Sequence, residues 1–176
     1  MQILALDVGF RNTGWVVFSA DKPIAAGVIK TSAEEKRVGD SVSAYYAACC
    51  RHIAAELRAI CEGHNICAIV GELPTGGSKS GRAASMMSMA LATVVTAAKL
   101  MHIPAVWTTP IAGKKALAGS NTADKREMMA AAVDRFGGAL PPTPRGKYYF
   151  AGELWTAGAF EHIADAAAAY IAAKKG

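Results

Sequence analysis

Four side chains in this 176-residue sequence have types and settings suited to holding divalent cations: Asp7, Glu72, His162 and Asp165. Asp7 closes the apolar run Ile3-Leu4-Ala5-Leu6, and Glu72 follows the run ICAIVG. His162 and Asp165 are three apart, and Glu161 and Asp165 four apart, inside the otherwise apolar stretch AFEHIADAAAAYIAA, so one helical turn can present either pair. Polar groups on an apolar stripe must be satisfied, and a metal satisfies them. Hard oxygen donors plus an imidazole suit two divalent ions about 3.5–4 Å apart, the arrangement for in-line attack of water on a phosphodiester. Each group also has a plainer role open to it. Asp7 can cap a turn by accepting backbone N–H bonds, and His162 can sit in a helix-surface salt bridge.

The charge distribution points to a polyanion. From Lys79 to Lys147 there are ten Lys and Arg against three acids, Asp124, Glu127 and Asp134, while the rest holds nine basic and eleven acidic residues. One part is built to grip phosphates and another to hold cations. The candidate phosphate contacts are Lys79 and Arg82 in the Gly- and Ser-rich loop LPTGGSKSGR, then Lys114, Lys115, Lys125 and Arg126, and finally Arg145 and Lys147 in the basic, aromatic loop LPPTPRGKYY. The first loop lacks the Gly-Lys-Ser/Thr ending of a P-loop. Cys49, Cys61, His64 and Cys67 do not have the spacing of a zinc ribbon or finger, and the cysteines read as reduced core thiols of a cytoplasmic protein. No secretory signal is expected from the N-terminal run.

The elements that must position these residues follow from periodicity. Residues 2–18 predict a buried strand, a glycine-marked turn and a returning strand. Ile24 to Lys30 adds a third, completing an antiparallel meander. Val42, Tyr45, Tyr46, Cys49, Ile53, Leu57 and Ile60 share one face of a helix opened by Ser41 and ended by Gly63. That helix is the crossover that lets the strand at 66–70 run parallel to the first and brings Glu72 to the same sheet end as Asp7. Residues 83–98 carry no charge and predict a helix apolar all round. Sixteen residues with several hydroxyls are short for a membrane span, so burial against a second copy, a homodimer, is the expectation. A fifth strand is expected at Ile103 to Trp107, then a short basic segment, a helix N-capped by Thr122, and a last helix from Glu153 to Lys174. The expectation is one α/β domain over 1–176, a five-stranded mixed sheet flanked by helices.

The Asp-x-Gly turn followed by Thr-Gly also resembles the first phosphate loop of actin-like ATPases, but those need two lobes around the nucleotide and this chain has the length of one. Along its whole length the sequence resembles the RuvC family of Holliday-junction resolvases, of RNase H-like fold. The resemblance rests on ILALDVGFRNTGWVVF, AIVGELP, the lysine-rich stretch TTPIAGKKALAGSNTADK and the closing HIADAAAAY. The family's usual closing Asp-x-x-Asp is here His162 and Asp165. The resemblance implies that Asp7, Glu72, His162 and Asp165 are catalytic metal ligands for two Mg2+, with Mn2+ substituting. It also implies that Lys114, Lys115 and Lys125 steady phosphates near the cut, and that the protein dimerises through the apolar helix. The implied substrate is a four-way DNA junction nicked symmetrically. A broader branched-DNA or RNA–DNA nuclease and a catalytically weak DNA-binding scaffold are the alternatives. Many relatives carry an aromatic wedge just after the catalytic Glu, where this chain has Leu73-Pro74-Thr75. The compact size also suits a phage-encoded resolvase.

Overall fold

The computed structural model describes residues 1–31, 41–73, 80–141 and 146–175. The sheet begins with β1 (Gln2–Asp7), β2 (Asn12–Ser19) and β3 (Lys22–Lys30), continues with β4 (Ile66–Glu72) after helix α1 (Val42–Gly63), and ends with β5 (Ala105–Thr108) after α2 (Gly81–Leu100). The order across it is β3-β2-β1-β4-β5. The first three strands are antiparallel, and β4 and β5 run parallel to β1, as the meander and the α1 crossover predict. The β2–β3 connection turns on Ala20 and Asp21, both with positive φ, the two-residue turn whose twist matches that of a hairpin. Pro23 fits because β3 is an edge strand that can do without one ladder donor.

Alternation along the strands sorts side chains onto two layers. Leu4, Leu6, Val17 and Ile69 face one side, where they pack with Ile53 and Leu57 of α1 and Ala90 and Val94 of α2. Ala5, Val16, Phe18 and Val70 face the other, against α5 (Ala157–Lys175) and α4 (Lys125–Phe136). Burial of each large apolar side chain contributes about 1.5–3 kcal/mol, so the two layers hold the sheet from both faces. Ala164, Ala166, Ala167, Ala168 and Ala169 are all fully buried, and their small size lets α5 lie close to β1, β2 and β4. Phe18 stacks on Tyr170 with ring centroids 3.9 Å apart.

Several boundaries differ from the sequence expectations. The basic segment after Thr109 is a helix, α3 (Pro110–Ala118), with Thr109 as N-cap, Pro110 in the first turn and Gly119 closing it in the left-handed region. The N-cap of α4 is Asp124 rather than Thr122, in a capping box with Glu127. Residues 153–155 are not the start of the last helix. They form β7 (Glu153–Trp155), which pairs with β6 (Tyr148–Phe150) in a small separate hairpin, so the expected loop ends before Tyr148 and α5 starts only at Ala157. Cys67 is exposed, its thiol donating to the Gln2 carbonyl, whereas Cys49 and Cys61 are buried as expected. Finally, α2 is not enclosed within one chain. Ala90, Val94 and Ala98 are its buried residues, and only 17% of its most apolar 18-residue window is covered. Among the described residues it is the one helix long and apolar enough to cross a membrane by length and composition.

Candidate active site

Backbone pairing sets the floor of the site. In the parallel β1–β4 ladder Asp7 pairs with Glu72, and in the antiparallel β1–β2 ladder Asp7 pairs with Gly14. Because side chains alternate, Ala5 and Asp7 share one face, and Val70 and Glu72 share the same one. The two carboxylates therefore stand side by side on the α5 face, at the carboxyl ends of two parallel strands where α/β sheets open a cleft.

The missing side chain at Gly14 completes the arrangement. A Cβ there would lie 2.2 Å from the His162 carbonyl oxygen and 2.7 Å from its Cβ, so only glycine lets the second turn of α5 descend onto the sheet. His162 Nδ1 then stands 2.8 Å from Asp7 Oδ2. Gly113 plays a similar part on α3, where a Cβ would meet Ala168 of α5 at 3.3 Å and Glu72 Oε2 at 3.5 Å. Thr156 opens α5 by accepting the Ala159 N–H, which places Glu161, His162 and Asp165 in the turns nearest the strand ends.

The site is short of positive charge. Burial first, then the charges of Asp7 and Asp165, push the Glu72 carboxyl up to about 8, with Lys114 opposing. Asp165 is pushed up to about 7 by burial and by Asp7 and Glu161, with His162 and Lys114 opposing. The imidazole of His162 is raised above its ordinary value chiefly by its hydrogen bond to Asp7, so its charged form donates Nδ1–H to that carboxylate. Lys114 Nζ donates to the Ala123 carbonyl at 2.8 Å, which holds this cation toward Glu72 and Asp165.

Of the expected site residues, Asp7, Glu72, His162 and Asp165 thus meet in one electrostatic field, with Lys114 beside them. Lys125 stands at the rim, bound to Glu161 Oε1 at 2.5 Å, and exposed Arg126 follows it on α4. Exposed Lys115 is on α3. Arg82 lies over the opposite layer, its Nε donating to Tyr46 Oη at 2.8 Å, and exposed Lys147 adjoins β6. Lys79 and Arg145 lie outside the described residues. Among the described residues no group of three or more His, Cys, Asp or Glu side chains is arranged as a ready coordination cage. The donor types, three carboxyls and an imidazole, are nonetheless those a divalent cation takes, and burial together with the mutual repulsion that a cation relieves raises two of the carboxyls. Sequence reasoning missed Gly14 and Gly113 as site residues, because a glycine signals close approach only once the facing helix is known.

No protein-family model matches the sequence, and no curated protein matches it. Solved structures do. The chain is 21% identical to Thermus thermophilus RuvC in a structure with a Holliday junction substrate, with a TM-score of 0.71 over 98% of this chain and 92% of that one. A second Thermus thermophilus RuvC structure gives 22% identity and a TM-score of 0.68 over the same shares. The sheet order, the two helical layers and these superpositions make this a RuvC-like chain in fold, with the RNase H-like architecture that the sequence resemblance implies.

Proposed function

We propose that this protein is a divalent-metal-dependent endodeoxyribonuclease that resolves four-way DNA junctions in recombination and repair, working in the cytoplasm as a homodimer. The observation that carries the reading is the in-register pair Asp7 and Glu72 on the face onto which α5 lowers His162 and Asp165. The fold shared with a RuvC solved on a Holliday junction supports the substrate class. Asp7, Glu72, Asp165 and His162 would hold two magnesium ions, or manganese in their place. When bound, such ions supply an activated water and stabilise the leaving oxygen.

The chain's own residues do the remaining work. Lys114 carries positive charge to the inner carboxylates. Lys125 and Arg126, with Lys115 and Lys147, offer charge to phosphates on either side of the cut, and Arg82, over the other layer, is a further candidate contact. The open apolar face of α2 supports two-fold pairing, and a two-fold dimer presents two sites to a two-fold junction, which gives paired nicks. Leu73 in the place of an aromatic wedge favours a second reading, a nuclease with a wider range of branched DNA or hybrid substrates.

Incubating labelled junction, fork, duplex and RNA–DNA hybrid with the protein and magnesium tests both. Paired symmetric cuts in the junction support the first reading, and equal cutting of the fork supports the second. No cutting of any substrate in magnesium or manganese overturns the assignment.

A further inference from the structure

Between α4, α5 and the β6–β7 hairpin lies a groove lined by Lys125, Arg126, Leu140, Pro141, Tyr148 and Glu161, among others. It lies beside the carboxylate site, since Glu161 stands one turn before Asp165 on α5 and its charge acts on Asp165. One wall is rigid and aromatic: Tyr148 stacks on the fully buried Phe160 with ring centroids 4.6 Å apart and planes 19° from parallel. Three of the lining residues are charged, and Glu161 is the acid among them.

Glu161 is paired with Lys125 across the groove at 2.5 Å. The two partners are unequal: the Lys125 side chain is 74% exposed, while that of Glu161 is 26% exposed. An ion pair with so exposed a base contributes little to folding, so the fold loses little when Lys125 changes partner. A carboxylate and a backbone phosphate offer an ammonium group the same thing, paired anionic oxygens.

Resting on the nuclease reading, we propose that Glu161 stands in the free protein where a DNA backbone phosphate stands in the complex, holding Lys125 until the strand beside the cut takes it over. Binding then exchanges one anion for another. The exchange weakens every DNA by the same competition, so it sets how much the other contacts must supply before a strand is held. Glu161 is in this sense a positioning residue for Lys125 rather than a catalytic one.

A double-mutant cycle in EDTA, where no cutting intervenes, tests the exchange: wild type, Glu161→Gln, Lys125→Gln and the double variant, binding a labelled four-way junction over 50–200 mM salt (about the range over which phosphate contacts are read). Glu161→Gln is expected to tighten binding about 3–10-fold and to steepen the salt dependence by about one ion. In the Lys125→Gln background the same change is expected to alter affinity less than about twofold. Equal tightening with and without Lys125 would reduce the effect to net charge and overturn the proposal, as would unchanged or weaker binding by Glu161→Gln. Wild type that cuts junctions but shows no such coupling removes this inference alone. Wild type with no salt-dependent DNA binding removes it together with the nuclease reading.

Discussion

With Asp7 paired to His162, Glu72 and Asp165 are the carboxyls that burial first, and then their anionic neighbours, raise above their ordinary values. Their raised proton affinity has a thermodynamic consequence with a definite sign. Below the ordinary values of 4.5 and 3.8 both carboxyls are protonated whether the chain is folded or not. Between those values and the folded ones, about 8 and about 7, the native state binds more protons than the unfolded chain, so stability falls as pH rises. The Tm of metal-free protein is expected to decline from about pH 5 to about pH 8, and magnesium to raise it more at pH 8 than at pH 5. Scanning calorimetry with and without the ion reads both; a metal-free Tm that rises over this range contradicts the charge deficit. For the same reason Glu72→Gln is expected to stabilise metal-free protein at pH 8 by about 1–2 kcal/mol, or about 2–4 °C per kcal/mol, while abolishing cleavage. Asp7→Asn is expected to lose cleavage of a labelled junction with no comparable gain, because it breaks the pair with His162. Retained cutting by that variant argues against Asp7 as a ligand.

At the scale of elements, the approach of α5 to the sheet decides whether the site exists. Gly14→Ala places a methyl group against the His162 main chain, so α5 must shift away from β2. The expected cost is about 1–3 kcal/mol, with loss of most cleavage. Calorimetry and the junction assay report the two effects separately, and normal activity in a stable Gly14→Ala protein would show that α5 has room to spare. The same element shows what the sequence could convey. The meander and β4 were legible as short apolar runs closed by turn signals, and α1 by apolar residues at spacings of three and four, and Asp7 and Glu72 came with them. The hairpin β6–β7 was not: three-residue strands hold too few repeats to show alternation, and Trp155 and Phe150 look like an apolar lead into α5. Helix α3 and the cap of α4 were written in local signals, Thr109-Pro110 before one and Asp124-x-x-Glu127 before the other, which a reading fixed on periodicity passes over. The Lys125–Glu161 pair joins two helices and has no local signature at all.

For the whole molecule, the open face of α2 is the feature that a single chain does not account for. Val95 is 41% exposed and Leu100 75%, beside small residues such as Ser88, Ala92 and Thr96 that allow a second helix to come close. On the proposed dimer, Val95→Asp is expected to shift sedimentation from dimer to monomer and to convert paired cuts into single nicks with about the same per-site chemistry. A wild type that sediments as a monomer overturns the proposed dimer, and a variant that stays dimeric argues against pairing through α2. The net charge of +5 for the whole chain adds that binding weakens steeply with salt, by about 10³–10⁵ between 50 and 200 mM where six to ten phosphates are contacted. One property of the sheet bears on how such a chain can drift. Asp7 and Glu72 are brought level by main-chain hydrogen bonds, which are indifferent to the identity of neighbouring side chains. Substitutions can therefore accumulate along both strands without moving either acid, whereas inserting a single residue in β1 or β4 would send its carboxylate through to the α1 layer. Change of letters is tolerated here and change of count is not, which is how 21% identity and a TM-score of 0.71 come to describe the same pair of chains.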